Sequence, residues 1–483
     1  MPKAKARGSR STTTRWPDVV PVVAIALLAL GQCGILAFRV PVFTSLRGWF
    51  WPLHTKPLPL LWLCAPLVGL GVAAVWLATN PRAKLALLLP VLVVLAYVQQ
   101  LGFGYMEGRG LDGLRDRIVN AGHAGFAVTA AGQPSLVRVA AHYESMLASG
   151  ELPFYPNSTK PPGQLLFYML TERLSRPFAG LLPPRFSPLD RLRYFASFFF
   201  PLVAALALLP LAWLARMLVP PESANRALVL LPFVPSFSLI TLHLDQCLYP
   251  LITLTSIGLF LYGMQRRRTW ALVLSGAVFY LALYVSFSLA AVAPLLALVA
   301  FLLPEPGQPR PFWRRLAYFG LFVAGFILLL VGFALAFRYD PWVRYRNAML
   351  LHSEWKQVSW SASEVVRFGL LDVVEFLFWT GMPLTVLFLL DQARSATAVA
   401  RGRPRPIDAL AVALGVTLLL LAFVGRTVAE TARLWLFLVP LVVLFAGHAL
   451  SQSRLLRTRA GMLAVVFLQF LTIIAIKRFQ DFW

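Results

Sequence analysis

The polar stretch 105–163 concentrates side chains that can bind phosphate and move protons. Acidic and basic side chains are interleaved there, among them Glu107, Arg109, Asp112, Arg115, Asp116, Arg117, His123, Arg138, His142, Glu144 and Lys160. Lys and Arg bind phosphate oxygens, and a carboxylate can take a proton from an attacking hydroxyl or amine. This combination suits the transfer of a group from a phosphate leaving group. The alternative is a solvated lid whose charges satisfy one another.

Further ionisable residues interrupt apolar segments later in the chain. Asp245 lies in the tight turn H-L-D-Q-C between two such segments, and Glu430 and Arg433 stand at the head of another. Asp372 and Glu375 share one face of a third segment. Ionisable groups at membrane depth are costly and usually line a cavity. We therefore expect these residues to form a polar cleft that opens outward.

The composition excludes a water-soluble globule and a disordered chain. Of the 483 residues, 59% are hydrophobic and 13% are charged, whereas soluble domains carry about a quarter charged residues. The net charge of +24 falls mostly in short runs between apolar segments, where it sets membrane topology. Because no separate basic domain exists, nucleic acid is not expected as a partner. Cys33, Cys64 and Cys247 show neither disulfide nor metal-ligand spacing.

Apolar runs predict a multi-pass, all-α membrane protein. Runs of about twenty residues, enough to cross the hydrocarbon layer as helices, occur near 19–39, 58–78, 85–104, 194–218, 226–243, 247–264, 316–337, 366–390, 407–424, 434–449 and 461–477. The run 270–303 is too long for one helix and should break around Ser286. This gives about thirteen transmembrane helices in all.

The positions of Lys and Arg predict the orientation of these helices. Basic residues near span ends stay on the cytoplasmic side, so the N-terminus is expected there, in a plasma (inner) membrane. The threading leaves 105–163, 243–247, 338–365 and 425–433 on the outer face. The amphipathic segment 164–190 should lie along the outer interface.

The predicted organisation has five parts. They are a cytoplasmic basic tail (1–18), N-terminal transmembrane helices (19–104), an outer loop with juxtamembrane helices (105–190), a transmembrane core (191–303) and C-terminal transmembrane helices (304–483) with the outer loop 338–365. Within the long loop, apolar spacing predicts amphipathic helices at 111–120 and 135–149, the second stopped by Gly150.

Three segments carry a family resemblance. The run H-Y-E-S-M-L-A-S-G-E-L-P-F-Y-P-N-S-T-K-P-P-G, followed by L-L-F-Y-M-L-T-E-R-L, resembles the first outer loop of GT-C membrane glycosyltransferases. That group contains protein O-mannosyltransferases and lipid A aminoarabinose transferases. The run A-R-M-L-V-P-P-E-S-A-N-R-A-L-V-L-L-P, followed by L-D-Q-C-L-Y-P-L-I-T-L, is similar to the family's paired helices with an aspartate at their outer turn. The run E-T-A-R-L-W-L-F-L-V-P from Glu430 is a third match.

The resemblance implies a GT-C fold with the core in 191–303. It also implies an inverting transferase that takes a sugar from a polyprenyl-phosphate carrier on the outer face. By resemblance, Lys160 contacts the donor phosphate, Asp245 helps shape the polar site, and Arg433 binds donor or acceptor. The acceptor is a glycan, a lipid or a protein, and membrane lipid surrounds the chain.

The resemblance also implies an acidic residue in the first outer loop as base or metal ligand. Counted back from Gly150, this acid would fall near Ser135, which cannot act as a carboxylate base. Either the acid has moved to Asp112 or Glu107, or the chemistry differs. We therefore expect the base at Asp112, which opens a helix whose backbone N–H groups favour an ionised carboxylate. Glu107 and Glu144 are the further catalytic candidates. The substrate-binding candidates are Lys160, Asp245, His123, His142, Arg115, Glu430 and Arg433.

No residue spacing predicts a metal site, and the sequence requires no cofactor. A divalent cation, Mg²⁺ or Mn²⁺, could bridge Asp112 or Asp245 to the donor phosphate. The aromatic residues of the loop 338–365 either anchor helices at the interface or stack on sugar faces. They are Trp342, Tyr345, Trp355 and Trp360.

Two other functions would use some of the same features. A transporter or flippase of a lipid-linked saccharide would have the same basic cleft, but the cleft would open to both sides of the membrane. A noncatalytic membrane scaffold would need neither Asp112 nor Lys160.

Overall fold

Every regular element in the part of the chain that the structure describes is a helix. The computed structural model describes residues 16–41, 46, 48–49, 51–80, 83–120, 125–153, 157–183, 186–303, 312–356, 361–424, 427 and 430–480. The expected all-α fold is confirmed for these residues.

The α-helices follow one another along the whole chain. They are α1 (Trp16–Ala37), α2 (Cys64–Thr79), α3 (Leu85–Tyr105), α4 (Gly110–Asn120), α5 (Gly125–Gly132), α6 (Leu136–Ala148), α7 (Pro162–Ser175), α8 (Pro188–Leu206), α9 (Leu208–Leu218), α10 (Pro221–Leu230), α11 (Pro235–Ile240), α12 (Tyr249–Arg266), α13 (Thr269–Val285), α14 (Val292–Leu302), α15 (Phe312–Phe337), α16 (Pro341–Lys356), α17 (Ala362–Thr380), α18 (Met382–Ala400), α19 (Pro406–Val424), α20 (Thr431–Leu434), α21 (Val439–Gln452) and α22 (Arg459–Phe479). Short 3-10 turns join several of them, including Asp245–Leu248 directly before α12.

Eight helical segments among the described residues are long and apolar enough to cross a membrane. They are Asp18–Ala37, Leu61–Thr79, Leu85–Tyr105, Pro188–Leu218, Asp245–Arg266, Phe312–Phe337, Pro406–Phe423 and Arg459–Phe479. The bent pair α17 and α18 makes nine if it is counted as one span, and three shorter apolar helices accompany them. A multi-pass membrane protein is therefore confirmed, whereas the expected count of about thirteen spans is not.

Two of the expected spans are broken, and both breaks have a local cause. The expected span 226–243 is interrupted at Pro232 and Pro235, because proline cannot donate the backbone hydrogen bond that a continuous helix needs. The expected span 366–390 is two helices, α17 and α18, which meet at 116°. Gly381 makes this turn with a φ of 91°, a conformation that favours glycine.

Other expectations about the loops and breaks are confirmed. The run 270–303 breaks at Ser286, between α13 and the next 3-10 turn. The two predicted loop helices are α4 and α6, and the short α5 between them was not expected. The segment 164–190 contains most of α7 and the 3-10 turn Arg176–Leu181 that follows it, and it is not among the segments that are long and apolar enough to cross a membrane. Its expected position along the outer interface stays a prediction.

Small residues let the helices of the core approach closely. In α13 a Cβ added to Gly276 would lie 1.8 Å from the Phe322 carbonyl oxygen, and in α15 one added to Gly325 would lie 1.8 Å from the Val273 carbonyl oxygen. Close backbone contact of this kind is a main source of helix association in membranes. Helix α21, which is buried from Val439 to Leu450, forms the centre of the core.

Replacement of Gly325 should loosen the pair α13 and α15. We expect Gly325→Ala to lower the stability of the detergent-solubilised protein by about 1–3 kcal/mol, because the new methyl group meets backbone atoms that cannot move aside. Thermal unfolding measures the effect. The matched control is Gly320→Ala in the same helix, where no atom lies within 4 Å of the added Cβ. Equal unfolding temperatures for both variants would contradict the close contact.

Candidate active site

The Asp245 carboxylate lies at the centre of a buried polar cluster. Asp245 is 0% exposed and is the first residue of the 3-10 turn before α12. The Tyr249 hydroxyl, one helical turn further on, donates a hydrogen bond to Oδ2 at 3.0 Å. The Gln246 amide donates to the two carboxylate oxygens at 3.3 and 3.4 Å, and the side chain of Gln164 of α7 lies close to this carboxylate. A buried carboxylate needs such donors to offset its lost hydration.

Two cations from distant parts of the sequence act on this carboxylate. Lys160, in the outer loop, and Arg433, in α20, both exert a Coulombic attraction on Asp245. The three residues therefore belong to one electrostatic cluster, as the sequence analysis expects for the outer ends of the spans. The cluster is closed over in this structure, because Asp245 and Arg433 are both fully buried. The structure thus shows a buried group of side chains here, and the expected opening of a cleft to the outer face stays a prediction.

Arg433 has donor groups that the described residues do not use. Its side chain is 0% exposed, and Nη2 lies 2.8 Å from Oε2 of Glu430. Its Nε and Nη1 atoms are buried and have no hydrogen-bond acceptor in the described part of the chain. Guanidinium nitrogens of this kind can bind phosphate oxygens in pairs.

Two carboxylates of α17 hold the segment that carries Arg433. Asp372 accepts hydrogen bonds from the hydroxyls of Thr431, at 2.7 Å, and Thr427, at 3.0 Å. Glu375, one turn along the same helix, accepts the Ala432 backbone N–H at 2.7 Å. The expected common face of Asp372 and Glu375 is confirmed, and it serves to position α20.

Contacts from three directions fix the turn that carries Lys160. The Tyr143 hydroxyl of α6 donates to the Asn157 carbonyl oxygen at 3.0 Å, and Arg344 of α16 donates to the Ser158 carbonyl oxygen. Burial raises the pKa of the Tyr143 phenol, which keeps it protonated as a donor. A Cβ added to Gly163 would lie 2.3 Å from the Tyr284 carbonyl oxygen. The glycine of Lys-Pro-Pro-Gly is therefore needed for close approach to α13.

An apolar groove of about 370 Å³ begins beside this turn. Gly163, three residues after Lys160, and Leu248, three residues after Asp245, both line it, together with Phe167, Tyr284 and Phe337. Its walls are almost entirely hydrocarbon and aromatic ring. The groove thus gives the polar cluster an apolar neighbour that can take a lipid chain.

An aromatic cavity of about 380 Å³ lies on the other side of Tyr284. Trp342 and Tyr345 of the loop 338–365 line it with Tyr280 and Tyr339. Burial raises the pKa of the Tyr339 phenol, so its hydroxyl remains a donor. The side chains of Trp355 and Trp360 lie outside the described residues.

The three candidate catalytic acids occupy different environments. Asp112 is 74% exposed and pairs with Arg115. Glu107 is nearly buried and forms ion pairs with three cations, namely Lys56, Arg117 and Lys477. Glu144 lies 3.2 Å from Arg344 and accepts from Asn347 at 3.4 Å. Glu107 and Glu144 therefore link the outer loop to other segments of the chain.

The remaining candidates lie nearer the surface or outside the described residues. Arg115 sits over the Phe186 ring, 5.7 Å from its centroid. His142 is exposed at a kink in α6, where its φ is −124°. His123 lies outside the described residues.

The described ranges hold no group of three His, Cys, Asp or Glu side chains placed to share a metal ion. The oxygens of Asp245 accept hydrogen bonds from Tyr249 and Gln246. A Mg²⁺ or Mn²⁺ ion that bridges Asp112 or Asp245 to a donor phosphate stays a prediction.

Several partners of the site were missed by the sequence analysis. Gln164, Gln246 and Tyr249 surround the Asp245 carboxylate. The i to i+4 spacing of Asp245 and Tyr249 is the signal that could have found Tyr249. Gln164 carries no signal except its position after Pro-Pro-Gly, because only tertiary packing brings α7 to α12.

Comparisons with known proteins agree with this architecture. No protein-family model and no curated protein sequence matches the chain. The crystal structure of the Archaeoglobus fulgidus oligosaccharyltransferase with zinc and sulfate is similar, with a TM-score of 0.51 and 15% identity over 81% of this chain and 53% of that one. The apo form of that enzyme gives 0.51 and 13% over 81% and 56% of the two chains. Archaeal oligosaccharyltransferase AglB from Archaeoglobus fulgidus, in complex with an inhibitory peptide and a dolichol-phosphate, gives 0.51 and 14% over 81% and 56%.

This likeness defines the fold. The chain is a multi-pass membrane protein with the GT-C fold, as the sequence resemblance implies. It spans about half the length of the oligosaccharyltransferases that it matches.

The hydrogen bond from Tyr143 should hold the Lys160 turn in place. We expect Tyr143→Phe to cost about 1 kcal/mol of local stability, because the Asn157 carbonyl loses a donor. Hydrogen exchange of the backbone amides of 157–163 should become faster in the detergent-solubilised protein. Tyr97→Phe, at a half-buried tyrosine of α3, is the control. Unchanged exchange in Tyr143→Phe would show that this bond does not fix the turn.

Proposed function

We propose that the protein is an integral-membrane glycosyltransferase that moves a sugar from a polyprenyl-phosphate carrier to an acceptor on the outer face of the plasma (inner) membrane. The observation that carries this proposal is that Lys160 and Arg433 both act electrostatically on the buried Asp245 carboxylate, beside an apolar groove. The GT-C fold supports it, and a similar structure, that of AglB, holds a dolichol-phosphate. In this proposal the N-terminus lies on the cytoplasmic side, and the chain is divided into the parts 1–18, 19–104, 105–190, 191–303 and 304–483.

Lys160 and Arg433 would hold the donor phosphate. The buried Nε and Nη1 atoms of Arg433 offer hydrogen bonds, and Lys160 adds a compact positive charge. The polyprenyl chain would lie in the groove lined by Gly163 and Leu248. In this arrangement Asp245 keeps both cations oriented, because their charges are attracted to its carboxylate.

The reaction would be a direct displacement. The acceptor oxygen or nitrogen forms a bond to the anomeric carbon while the bond from that carbon to the phosphate oxygen breaks. The acceptor's proton passes to a carboxylate, and polyprenyl phosphate leaves with the electron pair. Inversion at the anomeric carbon follows from attack opposite the leaving group.

Among the loop acids, Asp112 is the proposed base. Protonation of Glu107 or Glu144 would weaken the ion pairs that each makes with other segments. Asp112 has an exposed side chain that an acceptor from the aqueous phase can reach. Its helix also adjoins the site, since Leu114 and Leu242 pack against the same glycine, Gly104.

The acceptor side would use the outer surface of the site. The aromatic cavity at Trp342 and Tyr345 offers ring faces on which a sugar can stack. His123, His142 and Arg115 are proposed as further contacts, with Glu430 fixing Arg433 by its ion pair. The acceptor remains a glycan, a lipid or a protein.

Removal of the Lys160 charge should weaken donor binding. We expect Lys160→Ala to raise the Kd for a labelled polyprenyl-phosphate sugar about tenfold, because one charge-assisted contact to phosphate is lost. Lys160→Arg should recover part of the affinity. Arg138→Gln, at an exposed arginine of the same loop, is the control. Failure of the purified wild-type protein to bind or turn over any such donor would refute the proposed function.

Replacement of Asp112 should slow turnover without loss of donor affinity. We expect Asp112→Asn to reduce kcat at least about 100-fold, because the amide cannot accept the acceptor's proton. Asp116→Asn in the same helix is the matched control, since Asp116 forms an ion pair with the exposed Arg109. Full activity of Asp112→Asn together with an inactive, folded Glu107→Gln would move the base to Glu107 and leave the reaction class intact.

One observation favours the second candidate, a transporter or flippase of a lipid-linked saccharide. The bend of 116° between α17 and α18 resembles the broken helices of transporters. Here, however, neighbouring helices satisfy the backbone at the break. Gln469 donates to the Thr380 carbonyl oxygen at 2.5 Å, and Gln32 both donates to Phe378 and accepts from Met382. Movement of a labelled lipid-linked saccharide across proteoliposomes, without sugar transfer, would establish transport instead.

A further inference from the structure

A further cavity, of about 580 Å³, lies at the opposite end of the helices from the Asp245 cluster. We call it the basic cavity and define it by Lys84, Arg216, Asn225 and Arg226, with Glu222 at its rim. The length of helix α3 gives the distance between the basic cavity and the Asp245 cluster. Leu85 at the start of α3 lines the basic cavity, whereas Gly104 near the other end packs against Leu242. The 21 residues of α3 separate the two sites by about 30 Å.

The arginines of the basic cavity are held in place and have unused donors. Arg216 donates to the Asn225 side-chain oxygen at 2.9 Å. Arg226, whose side chain is 12% exposed, lies 3.6 Å from Glu222. The Nε atoms of both arginines are buried without a hydrogen-bond acceptor in the described ranges. Ordered guanidinium groups with spare N–H donors are suited to bind an anion.

The charge of the basic cavity is positive. Lys84, Arg216 and Arg226 contribute three positive charges, and Glu222, which is 71% exposed, supplies one negative charge. Basic residues near span ends stay on the cytoplasmic side of a membrane, but this tendency does not explain why these arginines are held inside a cavity. Arg454 and Arg457, in the loop before α22, are simply exposed to solvent. That loop belongs to the same end of the protein, because Arg459 donates to Thr79 at 3.2 Å, and Thr79 lines the cavity.

We propose that the basic cavity binds a phosphate-bearing group of net negative charge at the face opposite the Asp245 cluster. Two arginines and a lysine match the several oxygens of a phosphate, and the volume leaves room for the group that the phosphate carries. Ala78 and Leu85 give the cavity an apolar side next to the spans. The headgroup of an anionic phospholipid and a soluble phosphate ester share this chemistry. The site is independent of the proposed glycosyl transfer.

The experiment is a binding titration of the delipidated full-length protein by native mass spectrometry. The probes are dioleoylphosphatidylglycerol, glycerol 3-phosphate, and dioleoylphosphatidylcholine as the lipid without net charge. We expect phosphatidylglycerol to bind the wild-type protein. The double variant Arg216→Gln with Arg226→Gln should bind it at least about tenfold more weakly, through loss of two charge-assisted contacts. Lys84→Gln, at an exposed lysine, should weaken binding several-fold without disturbing the fold.

The matched control is Arg454→Gln with Arg457→Gln, which removes two charges from the same face but none from the cavity. Binding of glycerol 3-phosphate as tight as that of the lipid, and lost in the cavity variants, would assign the site to a soluble ester. Phosphatidylglycerol binding that the cavity variants retain, or that the control variant loses equally, would overturn the proposal. Equal affinity for the zwitterionic phosphatidylcholine, or no binding of phosphatidylglycerol and of glycerol 3-phosphate, would overturn it as well.

Discussion

Burial of charge in an apolar protein is the constraint on which the site depends. Asp245, Asp372, Glu375, Glu430 and Arg433 are all buried. Each would be strongly unfavourable alone, since transfer of an isolated charge out of water costs far more than one hydrogen bond returns. Their partners come from other segments, so folding brings the charges together. Mispairing of the helices would leave these charges without partners, which helps to specify the arrangement.

The same constraint applies to backbone groups where helices break. A break releases carbonyl oxygens and N–H groups that lipid cannot satisfy. Glutamines of neighbouring helices fill this role repeatedly. Gln469 and Gln32 bond the backbone around Gly381, and Gln99 of α3 donates to the Pro232 carbonyl oxygen at 2.8 Å. Polar side chains inside the spans therefore stabilise the breaks that shape the site.

The two cations of the cluster are held by different means. Arg433 depends on Asp372 and Glu375, which fix a short helix through its backbone and hydroxyl groups. Lys160 depends on a loop turn that Tyr143 and Arg344 hold through its carbonyl oxygens. A short helix and a loop turn thus each bring a cation to the Asp245 carboxylate. A donor phosphate between them would be contacted from both the transmembrane core and the outer loop.

The sequence alone determined the membrane class, the helical content and much of the loop structure, because these depend on local hydrophobicity, helical spacing and the positions of glycine and proline. It located α4, α6 and the break at Ser286, and the resemblance pointed to Lys160, Asp245 and Arg433. Tertiary structure decided the bend at Gly381 and the hydrogen-bond partners of Asp245. It also decided the exposure of Asp112. These features arise where helices distant in sequence pack together, and the side chain that each position meets is set by that packing, which local pattern does not encode.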